Sequence, residues 1–449
     1  MNRKWFALAF VAPALGAWAV GCGDDEIYDG NDAGTLDGGP LPDVGPLPEP
    51  DGGPPRIGCG DAGGAPARLL LSFNTVPTSE LSAFNLATKM VDGKNQYTSD
   101  FGTTYTFGAD PYILAQEADR VIRLDAREPW KAVSSWNVRG DDALDGGMPY
   151  ANPSAIVVPS CTKGYVLRFN RNKIAVVDTD VVADGGAPAS YIDLAPLLQA
   201  GDRDGIVEMT SALYVPGKNR IYVLLGNTDF TKIAGDGYTA LCADTKPTIA
   251  AIDATTGQLV SLGGTGPGGS IELAGYNPPL GTPLWYDAAG DRLLVLSAGC
   301  NTDLGDGGAG PIERRRVEEV NLATGAVKTL LPLDTQGFPG GFVFIDQNRA
   351  ALAFFGQAFL WNPAETTLGP EIPGGLDYLS YDGQGNIVGA RVKYVMEDGS
   401  FVPGPVEIVS VPYTDAGAVD AASVSVLGAD PFTKNRGGFL SGAEVWPRP

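Results

Sequence analysis

The chain contains no histidine among its 449 residues. That absence removes Ser-His-Asp and Cys-His nucleophilic catalysis, and with them imidazole-held zinc, iron or haem. Any chemistry has to come from carboxylates, Lys, Tyr, Ser or Cys. Positive charge is scarce: 31 Lys and Arg stand against 53 Asp and Glu, a formal net charge of -22. Such a chain repels nucleic acid and anionic lipid surfaces, so nucleic acid is excluded as a partner. Soluble cations or a basic partner suit it better. Cysteine is limited to five positions, none of them in a Cys-x-x-Cys pair, which argues against redox and zinc-ribbon readings. Long helical stripes are also missing. The one long apolar run, residues 5–20, is too short and too closely followed by acid to be a stop-transfer helix.

What is present begins with "MNRKWFALAFVAPALGAWAVGC". Arg3 and Lys4 precede the apolar run, the pattern of a secretory signal. The run ends in Ala19, Val20, Gly21 and Cys22, which resembles a bacterial lipobox, with Ala19 where leucine is usual. The resemblance implies a signal peptide over 1–21 and a lipid on Cys22. Membrane attachment then comes from acyl chains, at roughly 0.8 kcal/mol per buried methylene. Residues 22–66 are rich in Asp, Gly and Pro and poor in apolar side chains. They cannot bury enough surface to order themselves, and read as an extended acidic, disordered linker. Their Asp-Ala-Gly and Asp-Gly-Gly phrasing resembles linkers of myxobacterial lipoproteins. No stretch of it has EF-hand spacing.

From residue 67 the chain repeats itself. "FNLATKMV" (84–91), "IDATTGQLV" (252–260) and "VNLATGAVKTL" (320–330) are variants of one phrase. An apolar strand runs into Asp or Asn, turns, and continues as a strand. The Asx side chain can bond backbone N–H groups two residues on, and the Gly after Thr supplies a positive φ. Counterparts stand near Asp125, Asp178, Asn362 and Pro412, which makes seven. Upstream of most lie two more alternating strands, as in "SALYVPGKNRIYVLLG" (211–226). Four short strands per unit, repeated about seven times, predict an all-β, seven-bladed β-propeller over 67–449. The first unit lacks its upstream strand and the chain ends with a spare apolar stretch. Residues 437–446 are therefore expected as the innermost strand of blade 1, closing the ring. "YVLRFNRNKIAVVDT" (165–179) resembles the YVTN-type propeller repeat, with Asn172 as its connecting Asn. That family is mostly extracytoplasmic and often has no catalysis, which the resemblance implies here.

In a propeller the strand 2–3 loops and the blade-to-blade loops share one face. The long insertions of this chain all fall there, so that face is the expected binding face. Its charged residues include Asp141, Asp142, Asp145, Asp202, Asp204, Glu208, Asp236, Arg314 and Arg315. Asn301, Asp303 and Asp306 gather on a Gly-rich loop and are the candidate metal ligands; calcium, a hard cation, wants oxygens of this kind. With Cys22 lipidated, four cysteines remain. Loop positions make Cys242 and Cys300 candidates for one disulfide on the decorated face, and Cys59 and Cys161 for another on the other face, while spacing alone leaves the connectivity open. Trp130, Trp136, Trp285, Tyr286 and Trp361 could line a sugar site, but their strand positions favour core packing.

The sequence thus supports an envelope lipoprotein, anchored in the outer membrane and facing periplasm or exterior. Its propeller would act as a binding or scaffold module for a protein or glycan partner, with no catalysis expected. The alternative is a carboxylate-based or calcium-dependent hydrolase or lyase. Buried carboxylates converging at the channel mouth would favour the enzyme; scattered exposed ones would favour the scaffold.

Overall fold

The computed structural model describes residues 67–446 except 75–77, 99–101, 108–109, 126–129, 141, 143–149, 180–183, 235–238, 306–308, 355, 398–399, 414–423 and 431–438. Residues 1–66, where the sequence reading expects a signal peptide and a linker and which hold Cys22 and Cys59, lie outside the described residues, as do Asp141, Asp145, Asp236 and Asp306.

Strands form antiparallel sheets in chain order. Blade 1 holds β1 (Arg68–Asn74), β2 (Thr78–Asn85) and β3 (Met90–Thr98), completed by the last strand, β30 (Phe439–Trp446). Blade 2 is β4 (Gly102–Phe107), β5 (Asp110–Ala115), β6 (Arg120–Asp125) and β7 (Lys131–Asn137). Blade 3 is β8 (Pro153–Ser160), β9 (Lys163–Arg168), β10 (Lys173–Val177) and β11 (Ser190–Asp193). Blade 4 is β12 (Met209–Val215), β13 (Arg220–Leu225), β14 (Thr248–Asp253) and β15 (Leu259–Val260), with β16 (Ile271–Glu272) also pairing β14.

Blade 5 is β17 (Trp285–Asp287), β18 (Arg292–Ser297), β21 (Arg316–Asn321) and β22 (Val327–Pro332). A separate hairpin, β19 (Cys300–Asp303) with β20 (Ala309–Glu313), is inserted between its second and third strands. Blade 6 has three strands, β23 (Pro339–Asp346), β24 (Arg349–Phe354) and β25 (Gln357–Trp361). A single bridge from Phe359 to Glu371 stands where its fourth would be. Blade 7 is β26 (Tyr378–Tyr381), β27 (Asn386–Glu397), β28 (Ser400–Pro412) and β29 (Ser425–Asp430).

The first strands of successive blades touch in the order β30, β4, β8, β12, β17, β23, β26 and back to β30, which is a closed ring of seven. The fold is a seven-bladed β-propeller, sealed by the C-terminal strand as the spare apolar stretch predicts. Each blade is apolar on both faces and buries them only against its neighbours. One core cluster joins blades 2, 3 and 4, and others join 4 to 5, 5 to 6, 6 to 7, 7 to 1 and 1 to 2.

The repeated phrase is the third strand of a blade and its exit turn. Asn85 accepts from the Ala87 and Thr88 N–H groups, Asp253 from Thr255 and Thr256, and Asn321 from Ala323 and Thr324. The residue closing each turn has a positive φ: 72° at Gly257, 72° at Gly325, and 59° at Lys89, where the first copy lacks its glycine.

Candidate functional site

The long loops of blades 3 to 5 meet on one face, and side chains lock them there. Arg168, fully buried at the end of β9, makes a two-bond ion pair with Asp142 at 2.8 Å and 2.8 Å. It also donates to the Arg139 and Lys173 carbonyls and lies 4.7 Å from the Tyr191 ring. Asp142 is thus a clamp on the blade 2–3 loop. Asn172 donates to the Gly205 carbonyl at 2.7 Å and accepts from the Val207 N–H at 3.0 Å. It fixes the loop of residues 194–208 that leads into blade 4.

Cys242 and Cys300 form the expected disulfide, Cα to Cα 5.0 Å. It ties the β13–β14 loop to the base of the inserted hairpin. Cys242 N–H also donates to the Asn301 carbonyl, and Asn301 N–H to that of Ala240. Cys161, in the β8–β9 turn of the opposite face, is itself disulfide-bonded.

Arg314 and Arg315 spend their donors on carbonyls rather than on acids or an open surface. Arg314 reaches Ala243, Thr245, Ala274 and Gly275, with its guanidinium 4.7 Å from the Tyr276 ring. Arg315 reaches Ala298, Gln336 and Gly337. They are internal props of the decorated face. Asn301 and Asp303 stand together on β19, but Asn301 donates its amide to the Gly310 carbonyl and the exposed Asp303 accepts from Gly305.

The aromatic residues follow the core reading. Trp130 and Trp136 are 2% exposed and Trp361 is 0% exposed. Trp285 and Tyr286 are half-buried, each anchored by a hydrogen bond, to the Phe342 carbonyl and the Asp291 carboxylate.

A different constellation is assembled at the blade 3–4 junction. Asp202 and Asp204 lie half-exposed on the loop into β12; Glu208, the residue before that innermost strand, is 1% exposed. Asp229, also 1% exposed, enters from the β13–β14 loop. One oxygen each of Asp202, Glu208 and Asp229 is tied to backbone, and both oxygens of Asp204, whose Oδ1 accepts from Ile206 at 3.1 Å. Glu208 Oε2 accepts from Thr228 at 2.9 Å and Asp204 Oδ2 from Phe230 at 2.8 Å. Asp229 Oδ1 accepts from the Thr231 N–H at 3.0 Å, and Asp202 Oδ1 from Gly205 at 3.3 Å.

The remaining oxygens Asp202 Oδ2, Glu208 Oε1 and Asp229 Oδ2 are sealed from solvent and have no partner. Burial pushes the Asp202 carboxyl up to about 8, reinforced by the neighbouring Asp204. Burial also raises Asp204, and raises Glu208 well above the usual range with help from Asp204 and Asp202. The charged groups that act on Asp202 and Glu208 are other acids, opposed only by backbone N–H groups.

Backbone geometry singles out Glu208. Asn152, Glu208 and Asn277 occupy equivalent places in blades 3, 4 and 5. Their carbonyls accept from Phe169, Gly226 and Ala298, and their φ angles are 55°, 41° and 50°. Asn tolerates this left-handed region; a Glu there costs about 1–2 kcal/mol. Asp229 is not one of the sequence-derived candidates. A groove on the rim between blades 3 and 4, lined in part by Lys163, Tyr191 and Gln258, contains none of these four acids.

No protein-family model and no curated protein matches the chain. Solved structures share similarity at low identity. A protein of unknown function from Desulfotomaculum acetoxidans is 10% identical, over 84% of this chain and 99% of that one, with a TM-score of 0.49. Kuenenia stuttgartiensis hydrazine synthase is 14% identical, over 78% and 93%, at 0.49. The Swd1 β-propeller domain of Myceliophteria thermophila is 12% identical, over 71% and 89%, at 0.47. At these values the similarities carry no functional argument.

Proposed function

We propose that this chain is a lipid-anchored envelope protein, tethered through Cys22 and the 22–66 linker in the outer membrane. Its propeller serves as a binding or scaffold module for a protein or glycan partner. The observation that carries the reading is the face over blades 3 to 5, whose long loops are held by the Cys242–Cys300 disulfide and by Asn172, Arg168, Arg314 and Arg315. Loops held in this way lose little freedom on binding, which favours recognition. A disulfide also suits an oxidising, extracytoplasmic compartment. Among the described residues no helix is long and apolar enough to cross a membrane.

The convergence of Asp202, Asp204 and Glu208 favours the second reading, a carboxylate hydrolase or lyase. Against it, the unpartnered oxygens are closed to solvent, so a sugar or ester cannot reach them. A sealed cluster suits a proton or an ion rather than a substrate.

The test has two arms. Cys22→Ser is expected to abolish acyl labelling and release the protein from membranes. Photo-crosslinking in intact cells is expected from Leu304, 58% exposed on the decorated face, and not from Gln384 in the β26–β27 turn of the other face. Equal crosslinking from both positions would refute a face-specific binder.

A further inference from the structure

We propose that Asp202, Asp204, Glu208 and Asp229 form a site for one hard divalent cation. The site lies where the loop into blade 4 meets the β13–β14 loop. Acidic clusters are common on exported chains and prove nothing alone. This cluster is set apart by its orphaned atoms. Glu208 Oε1 and Asp229 Oδ2 belong to side chains 1% exposed, and both are without a hydrogen-bond partner, as is Asp202 Oδ2.

The orphans at this junction are these three carboxylate oxygens and the amide oxygen Asn227 Oδ1, all of them acceptors when the acids are ionised. A hydrogen-bond donor, a proton or a cation would complete them; only a cation serves several carboxylates at once and offsets their charge, and an unpaired buried carboxylate costs several kcal/mol (roughly 3–5 when a partner is lost). All-oxygen donors from two loops are the set that calcium-like cations take, and such cations tolerate irregular geometry. The second oxygen of Asp202, Glu208 and Asp229 is already held by a backbone N–H, so the free oxygen has a fixed direction, while Asp204 has both oxygens held, by Ile206 and Phe230.

Among the described residues no group of three or more acids stands ready at metal-ligand spacing. The acids instead close on one another. An ion would enter by parting the half-exposed Asp202 and Asp204 from Glu208 and Asp229, which are anchored beside β12 and β13. The half that has to move is the half-exposed loop, and the fixed half flanks the innermost strand β12 and its neighbour β13. This differs from the Asn301, Asp303 and Asp306 trio, and it goes beyond the partner-binding reading. Failure of one leaves the other standing, since the crosslinking test needs no cation.

The experiment is calorimetric titration of calcium into the chelator-treated full chain, with thermal melting alongside and manganese as a second probe. One calcium per chain is expected, with a melting temperature raised by several degrees. Glu208→Gln keeps the shape and removes the charge; it is expected to weaken binding at least tenfold, while Asp303→Asn leaves it unchanged. Should Glu208→Gln not fold, the half-exposed Asp202→Asn carries the same expectation. No heat and no melting shift with either metal would overturn the proposal. So would binding that survives both substitutions and disappears with Asp303→Asn.

Discussion

Arg68, at the start of the first described strand, lies directly across from Trp446, at the end of the last. They are register partners in the β1–β30 ladder, with the guanidinium carbon 5.9 Å from the indole. Trp446 meets Trp130 of blade 2 edge-on at 5.6 Å. The C-terminal strand therefore joins blade 1 to its own first strand and packs on blade 2 at once. Trp446→Ala is expected to cost about 3–5 kcal/mol, the range for a large buried aromatic. Urea unfolding measures it. A loss under 1 kcal/mol would mean that the ring closes without this anchor. Ending the chain before residue 439 would leave β1 as a bare edge, and aggregation is expected.

The disulfide staple is a separate matter from the ring. Cys242 and Cys300 are 58 residues apart and lie beyond the ends of β13 and β18. Closing a loop of that length stabilises by roughly 4 kcal/mol at most on the chain-entropy account. Replacing both cysteines by Ser is expected to cost about 2–4 kcal/mol, with earlier proteolytic cutting within 226–247 and 298–315. Cutting elsewhere in the ring first would show that the bond braces the blades and not the loops.

The fold was legible because its signals are local. Asx residues cap the third-strand turns, alternation marks the strands, and the spare end predicts closure. The candidate site was only half legible. The tripeptide Asn-Thr-Asp occurs twice at matching points, 227–229 and 301–303. Sequence reasoning chose the second, on its Gly-rich loop. In the structure Asp303 is exposed on a projecting hairpin, while Asp229 is 1% exposed. The difference lies in the loop path. Asn227, with φ 43°, turns the chain inward so that Thr228 can donate to Glu208, whereas Cys300 starts a new strand. No local pattern announces that path, nor that Glu208 fills a position its neighbouring blades give to Asn. Arg314 and Arg315 read as surface charges for the same reason: their carbonyl partners are distant in sequence.

Asp110 offers a test of buried charge away from the decorated loops. It opens β5, is 5% exposed, and accepts a hydrogen bond from Tyr112 at 3.3 Å. Burial pushes its carboxyl from 3.8 to about 6, opposed by Arg123 and helped by Asp125. A carboxyl whose folded value is raised holds its proton more tightly when folded. Its favourable contribution is therefore present below the unfolded value and lost as pH rises through about 6. A rise of this size corresponds to roughly 2–3 kcal/mol. Asn at this position mimics the protonated acid and still accepts from Tyr112. Asp110→Asn and the parent are expected to differ little near pH 4, while at pH 7 the variant should be more stable by about 2–3 kcal/mol. Unfolding curves across that range measure the difference. A gap that stays constant with pH would mean that Asp110 titrates in the folded chain as it does in the unfolded one.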